Sequence, residues 1–200
     1  DKDGNTVVFG IPQIIDASCI VWNLDILQQE AAADAELREM FARRPDGSID
    51  YDRIRFDALR DWDHFRRIVD KLTIRGDEGN VERAGFVLSA YGSGAGAFSP
   101  WLAANGGRVQ DEAGTKALFA TPEGVETLEF LSRLYWVDKV SPPFRRQMTP
   151  AELFQERKVA SVTAGTWSGK DITRNSLGWT HFGKTAFPPG PSGDGPRTVT

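Results

Sequence analysis

Three carboxylate pairs are the first places where this chain could do chemistry: Asp61 with Asp63, Asp77 with Glu78, and Asp111 with Glu112. Acid–base catalysis needs a base within hydrogen-bond reach of a nucleophile, or two carboxyls whose pKa values are driven apart. Each pair stands instead where a helix cap or a solvated turn is expected. Cys19 lies in the apolar run Cys19-Ile20-Val21-Trp22, which reads as a buried structural thiol rather than a nucleophile. As the only cysteine it closes no intrachain disulfide. His64 and His181 have no ligand spacing to each other or to Cys19, so no metal is expected. There is no Gly-x-Ser-x-Gly elbow, metal-binding helix motif or Walker loop. The glycine-rich run from Tyr91 to Phe98 lacks the GxGxxG spacing, a following acidic strand end and a lysine beside its helix. Its glycines are read as letting backbone approach a ligand or another loop closely. The expectation is therefore no catalytic residue, no cofactor and no enzyme.

What the chain does carry is aromatic residues at the ends of predicted elements. Trp22 closes a strand, Tyr91 closes another, Trp101 opens a helix, and Trp167 follows a strand broken at Gly165. Ser168 with Asp171 signals a helix start just after Trp167. In open α/β sheets, ligands gather beyond the carboxyl ends of strands, where helix amides point outward. The CH faces of a sugar stack well on such rings, while its hydroxyls need nearby polar groups. Asp16, Asn23, Ser93, Ser99 and Ser168 are candidates for that role. Trp167 read by itself serves equally as a core plug between helix and sheet.

The elements that must position these residues follow from periodicity. The 200 residues allow one large domain or two small ones, with ordinary apolar content at 40%. The net charge of −4 comes from basic and acidic residues interspersed, unlike the concentrated positive face that nucleic acid requires. No apolar run approaches the ~20 residues that span a bilayer. The opening DKDGNTVVFG shows no signal peptide, as would also hold for a mature protein.

Strands are expected at Val7–Ile11 and Cys19–Trp22, with Asn23 capping a helix that continues towards Phe41. Arg43 to Phe56, polar and punctuated by Pro45 and Gly47, reads as a surface insertion or long loop. Asp61 caps a helix whose stripe is Trp62, Phe65, Ile68, Val69 and Leu72. Gly85–Ser89 reads as a buried strand, and Ser99-Pro100-Trp101 as the start of a short helix stopped by Asn105-Gly106-Gly107. A hairpin is expected around Asp111–Gly114. Thr121-Pro122-Glu123 then starts a helix with an apolar face through Val125, Leu128, Leu131, Leu134 and Tyr135. Thr149-Pro150 opens a helix running out at Lys158, before a strand at Val159–Val162. Gly183–Phe187 reads as a strand leading into Pro188–Pro196, a linker or hinge crossing rather than a packed element. Strands alternating with helices imply the α/β class.

The order of these motifs resembles the extracellular solute-binding proteins of ABC transporters, in the sugar-binding branch that includes maltose-binding protein. Phe9-Gly10-Ile11-Pro12 is similar to the strand entering the second lobe, and Trp22-Asn23-Leu24-Asp25 to a Tyr-Asn-Lys-Asp motif. Asp61-Trp62-Asp63 with Lys71-Leu72-Thr73 resembles a Thr-Trp-Asp-Glu helix ending in Lys-Leu-Thr. Asn105-Gly106-Gly107 and Thr121-Pro122-Glu123-Gly124 match in place and spacing. Leu153-Phe154, Lys158-Val159-Ala160 and Gly165-Thr166-Trp167 resemble the Phe-x-x-Gly-Lys-x-Ala-Met strand and Gly-x-Trp turn. Pro188 to Gly193 is like the return to the hinge.

The resemblance implies a periplasmic-binding-protein-like lobe, with a mixed sheet flanked by helices. Family members run about twice this length, so the chain is expected to be mostly the second lobe. Residues 1–12 would be a hinge strand, 13–187 the lobe with its insertion at 43–56, and 188–200 the hinge return. It also implies a monomer that is periplasmic or extracellular, with or without a lipid anchor. The partners would be a small-molecule ligand, a carbohydrate, and the permease subunits that receive it, with no nucleic acid. Trp167 would stack on sugar. Gly165, Ser168, Tyr91, Gly94, Gly96, Ser99 and Trp101 would line the cleft, together with Trp22, Asn23 and Asp16. Gly96 and Ala97 stand where maltose binders bring an aromatic, a departure from the maltose-type cleft. The alternatives are a glycan- or ester-acting enzyme, and a sensor that presents ligand to a receptor.

Overall fold

Apolar residues on both faces of one short strand set up the centre of the molecule. In the computed structural model, which describes residues 17–77, 80–88, 94–141, 150–165 and 181–194, that strand is β1 (Ser18–Asn23). It lies between β6 (Ser161–Gly165) and β7 (Phe182–Thr185), antiparallel to both. Ile20 and Trp22 point into the main core; Cys19 and Val21 point into a smaller one with Val87, Leu153, Phe154 and Val162. Beyond β6 the chain at 84–88 adds parallel pairing through the bridges Ala84–Val159 and Val87–Val162. There the Val87 amide donates to the Ser161 carbonyl (2.9 Å) and the Thr163 amide to the Val87 carbonyl (3.2 Å). The sheet is therefore mixed and flanked by helices, as the α/β reading expected. Burial pushes the Cys19 thiol up, with Lys184 opposing weakly, which fits a structural thiol.

The helix after β1 is shorter than its sequence pattern. Asn23 caps α1 (Leu24–Ala31), accepting from the Ile26 amide at 3.2 Å. Asp34 then starts a separate turn, α2 (Ala35–Arg38), by accepting from the Leu37 amide, because a capping side chain competes with helix continuation. Phe41, expected to end the first helix, instead opens β2 (Phe41–Arg43), which pairs with β3 (Ile49–Ile54). The segment read as a long loop is thus a β-hairpin. Asp46 closes its turn by accepting from the Ser48 amide, and Gly47 takes φ +86°. Ile49, Tyr51 and Ile54 pack on the main core, and the Ala186 amide donates to the Phe56 carbonyl at 2.9 Å. The high charge of the segment hid these apolar residues.

Helix α3 (Trp62–Lys71) follows its pattern closely. Asp61 accepts from the His64 amide at 2.6 Å, and Trp62, Phe65, Ile68, Val69 and Leu72 are buried. Arg66 turns outward to grip Asp138 with two bonds of 2.7 and 2.9 Å. A small hairpin, β4 (Ile74–Arg75) with β5 (Val81–Arg83), follows. Buried Arg83 donates to the Leu72 carbonyl (3.0 Å) and to Glu30 (2.7 Å), tying α1 to the end of α3.

His64 is the polar exception on the buried side of α3. Its Nδ1 accepts from the Arg60 amide (3.2 Å), and Nε2 faces Glu36 at 3.5 Å. Burial, followed by the charge of Arg60, holds its pKa below the ordinary histidine value. A histidine that is neutral when folded must gain a proton in the unfolded chain, so its stabilising contribution is complete above about pH 6.5 and is lost as pH falls below that. Urea titrations are expected to give a lower unfolding free energy at pH 5 than at pH 7. His64→Gln should flatten that dependence, and parallel profiles for the two proteins would refute the assignment.

Helix α4 (Gly94–Ala104) begins five residues before the expected Ser99 and carries Pro100 inside it. It stops as expected, with Gly106 at φ +79° and the Gly107 amide donating to the Leu102 carbonyl (2.9 Å). The hairpin at 110–117 is reduced to one bridge, Gln110–Ala117, with Asp111 accepting from the Thr115 and Lys116 amides. Helix α5 (Pro122–Trp136) buries Gly124, Thr127, Phe130, Leu131 and Leu134. Val125 and Leu128, expected on the apolar face, are exposed. The helix is turned so that Gly124 meets the Phe119 carbonyl, an approach that leaves no room for a side chain there.

After α6 (Pro150–Gln155), β6 starts at Ser161, two residues later than expected. Described residues of the stretch read as a linker are packed. Pro188 and Gly190 are buried, the Gly190 amide donates to the Ala104 carbonyl, and the Ser192 amide donates to Asn105 Oδ1 at 3.0 Å. The strand expected at Val7–Ile11 and the helix start at Thr149 lie outside the described residues.

Candidate functional site

Pairing brings four chain positions to one edge of the main sheet. Because 84–88 runs parallel to β6, Leu88 and Gly165 leave the sheet at the same end. Because β1 runs antiparallel to β6, it enters there, with Ser18 the register partner of Gly165. Ser141 joins them: its hydroxyl accepts from the Leu88 amide at 3.2 Å. This is the carboxyl end of two parallel segments, the place where open α/β sheets present ligands to their loops. Spacing could not have found Ser141, because its place beside Leu88 is set by tertiary contact.

Gly165 is buried as the last residue of β6. Gly94 and Gly96 fall in the first turn of α4, and Ser99 is half-buried further along it. Asp16, Tyr91, Trp167 and Ser168 lie outside the described residues. In sequence, Asp16 is two residues before Ser18, and Trp167 is two residues after Gly165.

Three expected ligand residues are core residues here. Trp22 is completely buried; its indole N–H donates to Thr185 Oγ1 at 2.9 Å and its ring meets the edge of Phe65. It is the last residue but one of β1, which runs on to Asn23, and α3 packs over the ring. Asn23 is 2% exposed, with one amide group engaged in the α1 cap and in the Phe154 carbonyl. It pairs with Phe182 at the opposite end of β1 from Ser18. Trp101 was expected to open a helix; with α4 starting at Gly94 it falls inside the helix instead. Its ring sits among Phe65, Phe86, Phe130 and Phe187 at centroid distances of 5.1–5.8 Å.

A hollow of about 510 Å³ lies elsewhere, between α3, α5 and residues 189–191, and holds none of the expected site residues. Its charged rim is largely committed to structure: Asp61 caps α3, Arg66 holds Asp138, and Glu126 accepts from Asn105 and Ser192. Among the described residues no group of three histidine, cysteine or acidic side chains could hold a metal ion. No helix among them is long and apolar enough to cross a membrane.

No protein-family model matches the chain, and no curated protein matches it by sequence. Solved structures match it by fold. An ABC transporter solute-binding protein of Thermotoga lettingae TMO, bound with α-D-tagatose, matches with a TM-score of 0.65 and 19% identity over 92% of this chain and 41% of that one. The maltose/maltodextrin-binding domain MalE of Bdellovibrio bacteriovorus, bound to maltotriose, matches at 0.64 and 19% over 92% and 40%. The GacH receptor of Streptomyces glaucescens GLA.O, solved unliganded and with acarbose, matches at 0.64 and 16% over 94% and 41%. The chain thus has a periplasmic-binding-protein-like fold and spans about two fifths of the length of these proteins. These three are a solute-binding protein, a maltose/maltodextrin-binding domain and a receptor.

Proposed function

We propose that this chain is the second lobe of a two-lobed binding protein that carries a carbohydrate to the permease of an ABC transporter, outside the cytoplasmic membrane. The observation that carries the reading is the convergence of Ser18, Leu88, Ser141 and Gly165 at one sheet edge. Trp167, two residues beyond Gly165, supplies the stacking ring with Tyr91 as a second aromatic, and Asp16, Ser99 and Ser168 are the polar partners, with Gly94 and Gly96 letting the backbone come close. The lobe offers one side of a cleft; the facing side belongs to the remainder of the longer protein. The fold likeness to sugar-binding proteins supports this assignment.

Calorimetry of the whole protein against a panel of mono- and oligosaccharides tests it. One sugar is expected to bind, with Trp167→Ala weakening it ~10–100-fold, the scale of a lost aromatic contact at a binding hot spot. A sugar bound equally well by the variant would remove Trp167 from the site. The absence of any sugar binding would remove the carbohydrate reading itself.

A further inference from the structure

Buried hydroxyls on the face of the main sheet that carries Ile20 and Trp22 are satisfied, with one exception among the described residues. Ser161 donates to the Gly85 carbonyl at 2.7 Å, and Thr185 accepts from the Trp22 indole at 2.9 Å. Thr163 is 4% exposed, and its Oγ1 has no hydrogen-bond partner. A buried hydroxyl left unpaired is costly, and each such group in a folded protein calls for an explanation. Local rules of this kind give way most often at functional sites.

Strand register supplies the explanation. Side chains alternate along a strand, so Ser161, Thr163 and Gly165 share one face of β6, and Ser18 and Ile20 share it on β1. Thr163 stands opposite Ile20, and Gly165 stands opposite Ser18 at the edge where Leu88 and Ser141 also meet. Between Thr163 and that edge, Gly165 brings no side chain, and half-buried Ser18 is the diagonal neighbour of Thr163. Diagonal neighbours on paired strands stand about 7 Å apart. One hydroxyl group placed between two others at ordinary hydrogen-bond lengths spans such a gap.

We infer that Thr163 and Ser18 hold one hydroxyl of the ligand between them, Thr163 donating to it and Ser18 accepting from it. Thr163 is then a specificity residue of the site. The inference rests on the carbohydrate reading and adds to it which group is read: a single hydroxyl on the part of the sugar that reaches deepest against the sheet. A hydroxyl both donates and accepts, as this pair requires, and a deoxy position does neither. Stacking on an aromatic ring reads the CH faces of a sugar instead, so the two contacts can be separated.

Calorimetry of the whole protein with D-glucose, D-galactose, D-tagatose, maltose and maltotriose, then with monodeoxy analogues of the tightest binder, tests it. Removal of one hydroxyl is expected to weaken binding ~10–100-fold, the scale of leaving a buried group unpaired. Thr163→Val keeps the shape of the side chain; it should bind the parent sugar ~10-fold more weakly and no longer distinguish it from that analogue. Thr163→Ser should retain both affinity and discrimination. Without sugar, Thr163→Val should unfold at the same temperature or a higher one, because it sheds a desolvated hydroxyl. A lower midpoint would reveal a structural bond and overturn the inference. Unchanged affinity in Thr163→Val also overturns it, as when the hydroxyl holds only a water molecule. If Trp167→Ala still weakens binding in that case, the carbohydrate reading stands without this contact; failure of every sugar to bind removes both.

Discussion

Phe65→Ala is expected to lower the unfolding free energy by about 3–5 kcal/mol, the usual cost of removing a buried phenylalanine ring. Phe65 has no exposed surface and stands where four elements meet. Its ring lies 5.1 Å from both Phe86 and Trp101 and 6.4 Å from both Trp22 and Phe130. These pairs include edge-on and tilted arrangements, which add to the area term because ring edges and faces carry opposite partial charge. The surrounding rings are large and fixed by their own helices and strands, so they cannot collapse into the gap. Urea unfolding followed by tryptophan fluorescence reads the loss, since Trp22 and Trp101 both border the cavity. A cost below about 1 kcal/mol would mean that the cluster repacks freely, contrary to close-packed behaviour.

The second large effect is expected at Asn105. Its side chain is completely buried and joins three segments: Oδ1 accepts from the Ser192 amide (3.0 Å), and Nδ2 donates to the Glu123 carbonyl (3.1 Å) and to Glu126 (2.9 Å). Asn105→Ala removes all three bonds at once, leaving the Glu123 carbonyl with Thr127 and Glu126 with the Ser192 hydroxyl, in a site that also encloses Gly190, whose added Cβ would lie 2.6 Å from the Trp62 ring. Each lost hydrogen bond costs about 0.5–1.5 kcal/mol, more where the partner is charged as Glu126 is, so a total of roughly 3 kcal/mol is expected. Hydrogen exchange separates the local effect from the global one. The Ser192 and Gly190 amides should be protected in the native protein, and the Ser192 amide should exchange much faster in the variant than amides of β1. Rapid exchange of both amides in the native protein would restore the reading of this stretch as a free linker.

That correction shows where sequence reasoning stops. Pro188–Gly193 has the composition of a linker, but composition reports only that the segment forms no regular element. It does not report that Asn105, over eighty residues earlier, holds its backbone. The same limit applies to the hairpin at 41–54, where solvent-facing charges outnumber the apolar residues that anchor it. It applies to α5 as well, where a count of apolar residues favoured Val125 and Leu128, whereas the close approach permitted by Gly124 decided which side is buried.

The candidate site divides in the same way. The strand through Cys19–Trp22, the Asp61 cap, the α3 stripe, the glycine stop after α4 and the α/β class are local properties, written in side-chain periodicity and capping chemistry, and the sequence by itself determined them. Placing an aromatic near the end of an element is also local, and so Trp22, Trp101 and Trp167 all qualified as ligand contacts. Whether such a ring faces solvent or core depends on what packs over it. That depends on residues far away in the chain: α3 covers Trp22, and Phe86, Phe130 and Phe187 enclose Trp101. The meeting of Ser18, Leu88, Ser141 and Gly165 at one edge is likewise set by strand pairing across more than a hundred residues. Only the tertiary structure decided it, because register and packing are properties of contacts and not of the residues taken one by one.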